Sequence, residues 1–394
     1  MMYVSRHSLI FGLSYALDIL GKNNLSHSKS TAYLSVLVAR EIGLGKLGKD
    51  ADIVIYYAAL LHDIGISDEF IFKQKYIADM KRHCVIGEKM LGKLPLPEVI
   101  PGIVLYHHEY YDGSGAFGLS GDAIPLGAQI ICLASAFDDT FGKAESFDRA
   151  LILEVYAWLD QKRAWFSEEV VGAFNRLINR EYFLLDYFNH ETKYVLSDKI
   201  IVNDDVCYCC EDIERFALCF AEIIDHRSHF TFNHSTGIAN LAQKAAVHLG
   251  HDVKTQKKMY VAGLLHDIGK LHVSTDILHK NGKLTPEERF EINKHTYFTR
   301  KILEQIQGFE DIVDIAANHH EKLDGTGYPY HIMGDKLSEL ERVMSICDVY
   351  QALTEDRPYR ATLPPEKVWA IIDGMAERQH LDKSLVERLK QVFN

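Results

Sequence analysis

Residues 319–329 combine metal-binding side chains with a rigid turn. They read His-His-Glu-Lys-Leu-Asp-Gly-Thr-Gly-Tyr-Pro, so two histidines and two carboxylates, Glu321 and Asp324, accompany a Gly-x-Gly-Tyr-Pro turn. A His-Asp pair lies upstream at His266 and Asp267. Imidazole and carboxylate groups are ligands of divalent metals such as zinc, iron and manganese. The combination predicts a metal site.

The other candidate ligands follow at nearly constant intervals. Asp267 and His295 are 28 residues apart, and His319 follows His295 after 24. The interval from His320 to Asp348 is again 28 residues. Each interval is about the length of one helix and a turn, which favours a bundle whose successive helices bring ligands to one interior site. A carboxylate between two imidazoles can bridge two cations, and two cations can clamp an anionic ester.

Taken together, these motifs resemble the HD-GYP domain of the HD phosphohydrolase superfamily over about residues 213–394. The resemblance rests on Leu-Leu-His-Asp-Ile-Gly-Lys at 264–270, Lys-His at 294–295, the 319–329 block, Asp348 and Asp-Arg-Pro-Tyr-Arg at 356–360. It implies an all-α fold, a metal site usually filled by iron or manganese, and hydrolysis of cyclic dinucleotides. The metal ligands that it implies are His234, His266, Asp267, His295, His319, His320 and Asp348.

Three positions depart from the family pattern. Family members with a third metal carry Glu four residues before the first metal-site histidine. That histidine is His234 in this chain, and Phe230 stands at the position of the Glu. This departure favours two divalent ions. Thr299 stands where the family usually has Gly, and Gln351 stands where Asp is frequent. Neither change removes a predicted ligand.

Two groups of residues are predicted to act on the substrate. Asp267 and Lys270 are the predicted catalytic residues, and Lys270 also supplies a point charge for phosphate. Arg357 and Arg360 are three residues apart and are predicted to contact a phosphate through two nitrogen atoms. The alternative for these arginines is a solvated salt-bridge face. Tyr328 is predicted to support the ligand or stack on it.

Composition limits the class of protein. A chain of 394 residues favours two domains. The net charge of −12 argues against binding of a nucleic-acid polymer or an anionic membrane. No apolar run approaches the roughly 18 residues of a membrane span, so no membrane insertion is expected. The seven cysteines include no Cys-x-x-Cys pair, and reduced thiols in a cytoplasmic protein are the simplest interpretation.

The first half of the chain repeats the motifs of the second half in the same order. Leu-Leu-His-Asp-Ile-Gly at 60–65 matches 264–269. Further matches pair His27 with His234, His83 with His295, and His-His-Glu at 107–109 with 319–321. The sequence therefore predicts two tandem HD-type helical bundles, in residues 1–196 and 206–394.

The first copy lacks groups that the chemistry needs. Ile66 replaces Lys270, Ser135 aligns with Asp348, and the Arg-Pro-Tyr-Arg run has no counterpart. We therefore expect residues 1–196 to form a degenerate domain without turnover and residues 206–394 to form the catalytic domain. The degenerate domain is interpreted either as a regulatory, ligand-binding domain or as a folded remnant used for packing or homodimerisation.

The sequence predicts a metal-dependent phosphodiesterase acting on cyclic di-GMP or 3′,3′-cyclic GMP-AMP. The product is the linear dinucleotide, with further cleavage to mononucleotides left open, and no motif distinguishes the two substrates. One alternative is a non-catalytic cyclic-dinucleotide receptor, against which the complete ligand set argues. Another is an HD nucleotidase acting on mononucleotides, against which the block at 319–329 argues.

Overall fold

The chain is almost entirely helical in the part that the structure describes. The computed structural model describes residues 2–20, 26–46, 48, 50–66, 77–144, 148–188, 204–227, 234–355 and 363–393. This part contains eighteen α-helices, five short 3₁₀ helices and one pair of two-residue strands. The all-α prediction is confirmed. None of the described helices combines the length and apolarity needed to span a membrane.

The chain divides into two compact units. The N-unit is Leu17–Val206, and the C-unit combines Met1–Ala16 with Cys207–Asn394. Helix α1 (Arg6–Leu20) crosses the division. The N-unit also contains α2 (His27–Ile42), α3 (Ala51–Leu60), α4 (Ile77–Leu91), α5 (Ile100–Leu105), α6 (Leu126–Phe141), α7 (Arg149–Gln161), α8 (Glu168–Ile178) and α9 (Glu181–Phe188).

The C-unit holds the remaining helices and both strands. The strands are β1 (Val4–Ser5) and β2 (Cys207–Tyr208). The helices are α10 (Cys210–Arg227), α11 (His234–His248), α12 (Val253–Leu265), α13 (Thr275–Leu278), α14 (Pro286–Leu303), α15 (Glu310–Ala317), α16 (Glu339–Thr354), α17 (Pro365–Glu377) and α18 (Lys383–Leu389).

The first sixteen residues pack with the C-unit although they precede the N-unit in sequence. Strand β1 pairs antiparallel with β2. Further along, Gly12 lies so close to Ile306 that a Cβ atom would stand 2.4 Å from Ile306 Cγ1. Leu9 and Leu13 of α1 are also buried. The C-unit is therefore built from two separate stretches of chain.

Two helices that carry candidate ligands begin with strong local signals. Thr285 and Glu288 form a capping box at the start of α14, with Pro286 in its first turn. Ser338 and Glu341 form a second capping box at the start of α16. Such boxes satisfy backbone N–H groups that a helix start leaves without partners. The starts of both helices are thus specified locally.

Glycine lets the His-Asp segment approach the next helix closely in both units. A Cβ atom on Gly269 would stand 1.9 Å from the carbonyl oxygen of His295. In the N-unit a Cβ atom on Gly65 would stand 2.2 Å from the carbonyl oxygen of His83. Any larger residue would force these segments apart, so each glycine sets the distance between two candidate ligand segments.

The two carboxylates of the 319–329 block form the turn. Glu321 accepts hydrogen bonds from the backbone N–H groups of Tyr330 (2.8 Å) and Ile332 (3.0 Å). Asp324 accepts one from the N–H of Thr326 at 2.9 Å. Both side chains thus have structural partners, although their residue type had pointed to metal binding.

The N-unit repeats this turn. Glu109 accepts hydrogen bonds from the N–H groups of Phe117 and Leu119, the second at 2.6 Å. Asp112 accepts one from the N–H of Ser114 at 2.9 Å. The turn survives in the first half without the Tyr-Pro pair, because its carboxylates and glycines are retained.

Candidate metal centre

Five segments of the C-unit bring the predicted metal ligands together. His266 and Asp267 follow the last residue of α12, and His319 and His320 follow α15 closely. The other three ligands lie within or at the start of helices, namely His234 in α11, His295 in α14 and Asp348 in α16. All seven are buried or partly buried.

Asp267 lies at the centre of a tight group of donor atoms. Its Oδ2 atom is 3.1 Å from His266 Nε2, and its Oδ1 atom is 3.4 Å from His295 Nε2. His295 Nε2 and His319 Nε2 are 3.3 Å apart. Donor atoms about 2.1 Å from one ion lie about 3.0–3.4 Å from one another in octahedral or tetrahedral geometry. This group has the spacing of a shared metal ion.

A looser group extends the centre on the side of α16. His234 Nε2 lies 3.8 Å from Asp267 Oδ2 and 3.9 Å from Asp348 Oδ1. The Nδ1 atom of His320 lies 3.6 Å from Asp348 Oδ2. Asp267 therefore borders both groups of donor atoms.

Backbone carbonyl groups fix the tautomers of three histidines. The Nδ1 atoms of His266, His295 and His319 lie 2.7, 2.7 and 2.6 Å from carbonyl oxygens three residues earlier. A carbonyl oxygen only accepts, so each Nδ1 carries a hydrogen, and in the neutral ring Nε2 is the atom with the lone pair. This arrangement orients metal-binding histidines generally.

The pKa values of the ligands differ with their surroundings. Burial lowers the pKa of His295 to about 3 and that of His319 to about 4. Burial acts against the charge of Asp267, but His266 and Lys270 outweigh it and hold the pKa of that carboxyl well below its usual value. Burial also opposes protonation of His266, yet the charge of Asp267 raises the pKa of this imidazole. A bound cation would replace that proton.

The donor set fits a divalent metal on structural grounds. Within the described part of the chain, His266 Nε2 and Asp267 Oδ1 are buried and make no hydrogen bond of suitable geometry. Buried polar atoms without partners are rare and call for an explanation. Ligand atoms of His266, Asp267 and His319 lie within 4.8 Å of one another, and the same holds for His234, His266 and Asp348. The set contains His and Asp groups able to bind metal.

Two predicted substrate contacts border the centre. Lys270 is partly exposed, and its Nζ atom donates to Asp267 Oδ2. The ring of Tyr328 lies 4.9 Å from that of His320. Both side chains thus lie at the edge of the ligand group, and their contact with substrate stays a prediction. Arg357, Arg360 and Phe230 lie outside the described residues.

Thr299 and Glu355 support the centre in ways that the sequence did not reveal. The hydroxyl of Thr299 donates to the carbonyl oxygen of His266 (2.9 Å) and accepts from the N–H of Gly269 (3.0 Å). It therefore fixes the turn that carries the His-Asp pair. Glu355 lies 2.9 Å from His234 Nδ1, on the ring side away from the ligand group. The only sequence signal was that Thr299 and Gln351 depart from the family pattern.

Comparisons with known proteins follow the same division into halves. The profile of the HD domain family matches residues 17–155 and 219–385. The chain belongs to the HD domain family. Its second half carries the HD-GYP motifs, as the sequence indicated. Both halves therefore derive from one fold, and the predicted tandem of HD-type bundles is confirmed.

Two relatives from Vibrio cholerae match most of the chain. The 3′3′-cGAMP-specific phosphodiesterase 1 is 28% identical over 98% of this chain and 91% of its own length. The 3′3′-cGAMP-specific phosphodiesterase 3 is 31% identical over 80% of this chain and 67% of its own length. A cyclic di-GMP phosphodiesterase of Pseudomonas aeruginosa is 39% identical over 33% of this chain and 32% of its own.

A solved structure has the same fold. The crystal structure of a cyclic GMP-AMP specific phosphodiesterase of Vibrio cholerae matches 99% of this chain and 97% of its own with a TM-score of 0.72. The sequence identity is 22%, so this likeness concerns the fold. The helical architecture of both halves is thus known from an experimental structure.

Proposed function

We propose that the protein is a metal-dependent phosphodiesterase that hydrolyses 3′,3′-cyclic GMP-AMP to the linear dinucleotide. The observation that carries the proposal is the convergence of His and Asp donors on Asp267 at metal-binding distances. The conclusion follows because a divalent metal held by these imidazole and carboxylate groups would bind and polarise a phosphodiester.

The relatives support the choice of substrate. Those that match both halves of the chain are named as cGAMP-specific phosphodiesterases. The relative from Pseudomonas aeruginosa, which is named for cyclic di-GMP, matches only a third of the chain. We therefore place 3′,3′-cyclic GMP-AMP before cyclic di-GMP as the substrate, and the test below includes both.

The C-unit has ligands for two divalent ions, iron or manganese. The tight group around Asp267 and the looser group around Asp348 would hold one ion each, with Asp267 shared. When bound, the ions supply positive charge to the phosphoryl oxygens and lower the pKa of water. The lone pairs on His266, His295 and His319 are already directed by their backbone hydrogen bonds.

Other side chains of the C-unit act on the substrate. Lys270 stands beside Asp267 and offers an ammonium group to a phosphate. Tyr328 borders His320 and offers a ring for contact with the dinucleotide. The sequence adds Arg357 and Arg360 as further phosphate contacts. These cations matter because the substrate carries two negative charges and the chain carries a net charge of −12.

We assign turnover to the C-unit alone. The Oγ atom of Ser135 lies 3.5 Å from His27 Nε2. In the C-unit the equivalent position beside His234 is occupied by Asp348. The N-unit thus has a hydroxyl where the C-unit has a carboxylate. Ile66 replaces the ammonium group of Lys270. These changes remove a charged ligand and a phosphate contact.

Product analysis tests the proposal. The full chain is incubated with Mn²⁺ and 3′,3′-cyclic GMP-AMP, cyclic di-GMP or a deoxynucleoside triphosphate, and products are separated by chromatography. We expect linear dinucleotide, formed faster from 3′,3′-cyclic GMP-AMP. Binding of the cyclic dinucleotides without product would favour a receptor, and cleavage of the triphosphate alone would favour a nucleotidase.

A pair of variants locates the activity. His266→Ala combined with Asp267→Ala removes the centre of the C-unit and should abolish hydrolysis. His248→Ala changes an exposed histidine of α11 and should leave the rate unchanged. Hydrolysis that persists in the double variant would place turnover in the N-unit and contradict the assignment.

A further inference from the structure

The N-unit contains a buried cluster of histidines around a carboxylate. His62 and Asp63 follow α3, His83 lies in α4, and His107 follows α5. Three separate segments therefore converge, and all three histidines are at most 2% exposed. These side chains have no role in the proposed hydrolysis.

The donor atoms of this cluster have metal-binding spacing. His83 Nε2 lies 3.4 Å from His107 Nε2 and 3.3 Å from Asp63 Oδ1. His62 Nε2 lies 3.5 Å from Asp63 Oδ1. In the C-unit the equivalent distances are 3.3 Å from His295 to His319, 3.4 Å from His295 to Asp267 and 3.1 Å from His266 to Asp267. No distance differs between the two units by more than 0.4 Å. The N-unit has thus kept the geometry of the tight group.

Backbone carbonyl groups again orient the rings. His62 Nδ1 lies 2.7 Å from the carbonyl oxygen of Ala59, and His107 Nδ1 lies 2.6 Å from that of Val104. Each Nδ1 must donate, so each Nε2 presents a lone pair to the cluster. Within the described part of the chain, His62 Nε2 is buried and has no hydrogen-bond partner. A buried acceptor in that state is stabilised by a cation.

The looser group has lost its second carboxylate. Ser135 supplies a neutral hydroxyl where the C-unit has Asp348. His27 keeps its place, because its Nε2 atom is 3.9 Å from Asp63 Oδ2 and the equivalent distance from His234 to Asp267 is 3.8 Å. Its Nδ1 atom lies 2.8 Å from Asp138 Oδ2. Without the second carboxylate, the looser position lacks the charge that would hold a second divalent ion.

Cys84 lies near the cluster, but it is on the Nδ1 side of the His107 ring. Its sulfur atom is 3.8 Å from His107 Nδ1, the nitrogen that donates to Val104. The thiol therefore faces the nitrogen that carries the hydrogen and not the Nε2 lone pair of this ring. The ligand set is three imidazoles and one carboxylate.

We propose that the N-unit binds one divalent metal ion through His62, Asp63, His83 and His107. The ion links three segments of the unit and takes no part in turnover. The donor set suits first-row divalent ions that accept imidazole and carboxylate ligands. The competing arrangement is a metal-free cluster in which a proton on His83 Nε2 is shared with Asp63 or His107.

Counting Co²⁺ ions in the full chain tests the proposal. His266→Ala, Asp267→Ala and His319→Ala are combined to remove the ligands of the C-unit, and the protein is dialysed against Co²⁺. We expect one Co²⁺ per chain, with the visible absorption of a histidine-ligated ion. Adding His62→Ala and His83→Ala should reduce the count to none.

Two further results make the outcome decisive. Cys84→Ala in the same background changes a buried neighbour of His83 that is not a ligand, and it should keep the ion. Loss of Co²⁺ in this variant, or no Co²⁺ before the N-unit ligands are changed, would overturn the proposal. Circular dichroism of each variant shows that the fold is retained. The count does not depend on hydrolysis, so it stands whether or not the proposed function holds.

Discussion

At the scale of single residues, Glu355 shows how a lost contact is replaced. The family often has Asp three residues after the position of Asp348, and this chain has Gln351 there. The carboxylate that contacts His234 Nδ1 comes instead from Glu355, one helical turn further on. Gln351 in turn donates to Glu355 at 2.7 Å. The N-unit has kept the shorter spacing, since Asp138 contacts His27.

Replacing Glu355 should weaken metal binding. Glu355→Gln keeps the size of the side chain but removes the charge that orients His234. Changes to groups behind a metal ligand typically cost about 10–100-fold in metal affinity, and we expect a loss in that range for Mn²⁺, measured by equilibrium dialysis. Glu377→Gln on the exposed face of α17 is the matched control. An unchanged affinity would show that His234 needs no such support.

Asp18 is a buried carboxyl group of the N-unit with an unusual environment. Its Oδ1 atom accepts from the N–H of Ser28 at 2.7 Å, while its buried Oδ2 atom has no hydrogen-bond partner among the described residues. Burial, partly offset by the Ser28 hydrogen bond, raises the pKa of Asp18 to about 6. The folded state therefore binds this proton more tightly than the unfolded chain does.

Asp18→Asn should stabilise the protein at high pH only. In the wild type, the contribution of Asp18 to the free energy of unfolding is greatest below pH 3.8 and is lost as the pH rises to about 6. The amide cannot ionise, so we expect a gain of up to about 3 kcal/mol at pH 8 and little difference at pH 4. Denaturant unfolding at both pH values measures this. Asp160→Asn, at an exposed position, should show no such pH dependence.

At the scale of elements, short segments between helices position the ligands. The turn after α15 is held by Glu321, which is only 2% exposed and accepts two backbone hydrogen bonds. The segment after α12 is held by Thr299 and by the close approach that Gly269 permits. These segments stay ordered because their backbone groups have side-chain partners.

Removing the Glu321 carboxylate should loosen the turn. Glu321→Ala leaves the N–H groups of Tyr330 and Ile332 without their acceptor, at a cost of roughly 2–3 kcal/mol in the free energy of unfolding. Metal affinity should fall as well, because His320 precedes this residue. Asp324→Ala in the same turn removes two solvent-exposed hydrogen bonds from Thr326 and a contact with His380, and it should cost less because water can replace them. Equal losses in the two variants, measured by denaturant unfolding, would contradict the role given to Glu321.

At the scale of the whole molecule, two HD-type units have diverged in charge at equivalent positions. The C-unit keeps Asp348 and Lys270, whereas the N-unit has Ser135 and Ile66. The helices, the glycine contacts and the turns are common to both. Divergence has thus altered the chemistry while leaving the framework intact.

A fragment cut at the apparent domain boundary should be unstable. Residues 206–394 alone lack β1 and the first half of α1, whose Leu9, Ile10 and Leu13 are buried in the full chain. Each such side chain contributes about 1.5–3 kcal/mol when buried, so we expect the fragment to unfold at a lower temperature than the full chain. A fragment that melts with the full chain would show that residues 1–16 contribute little.

The sequence by itself determined the family, the helical class, the repeat and the candidate ligands. These follow from local motifs, because His266 with Asp267, or His319 with His320, are adjacent in the chain and each interval between motifs holds one helix. Once the helices adopt the family fold, these motifs come together in one site. The roles of Arg357 and Arg360 remain predictions from the sequence.

Only the tertiary structure decided which partners meet across long stretches of chain. It placed residues 1–16 with the C-unit, gave Glu321 and Asp324 to the turn, and supplied His234 with Glu355. Residue type could not decide these points, because a carboxylate serves a metal, a backbone N–H or an imidazole equally well. The choice depends on which group the packed helices bring within hydrogen-bonding distance, and that distance is set by contacts between segments far apart in sequence.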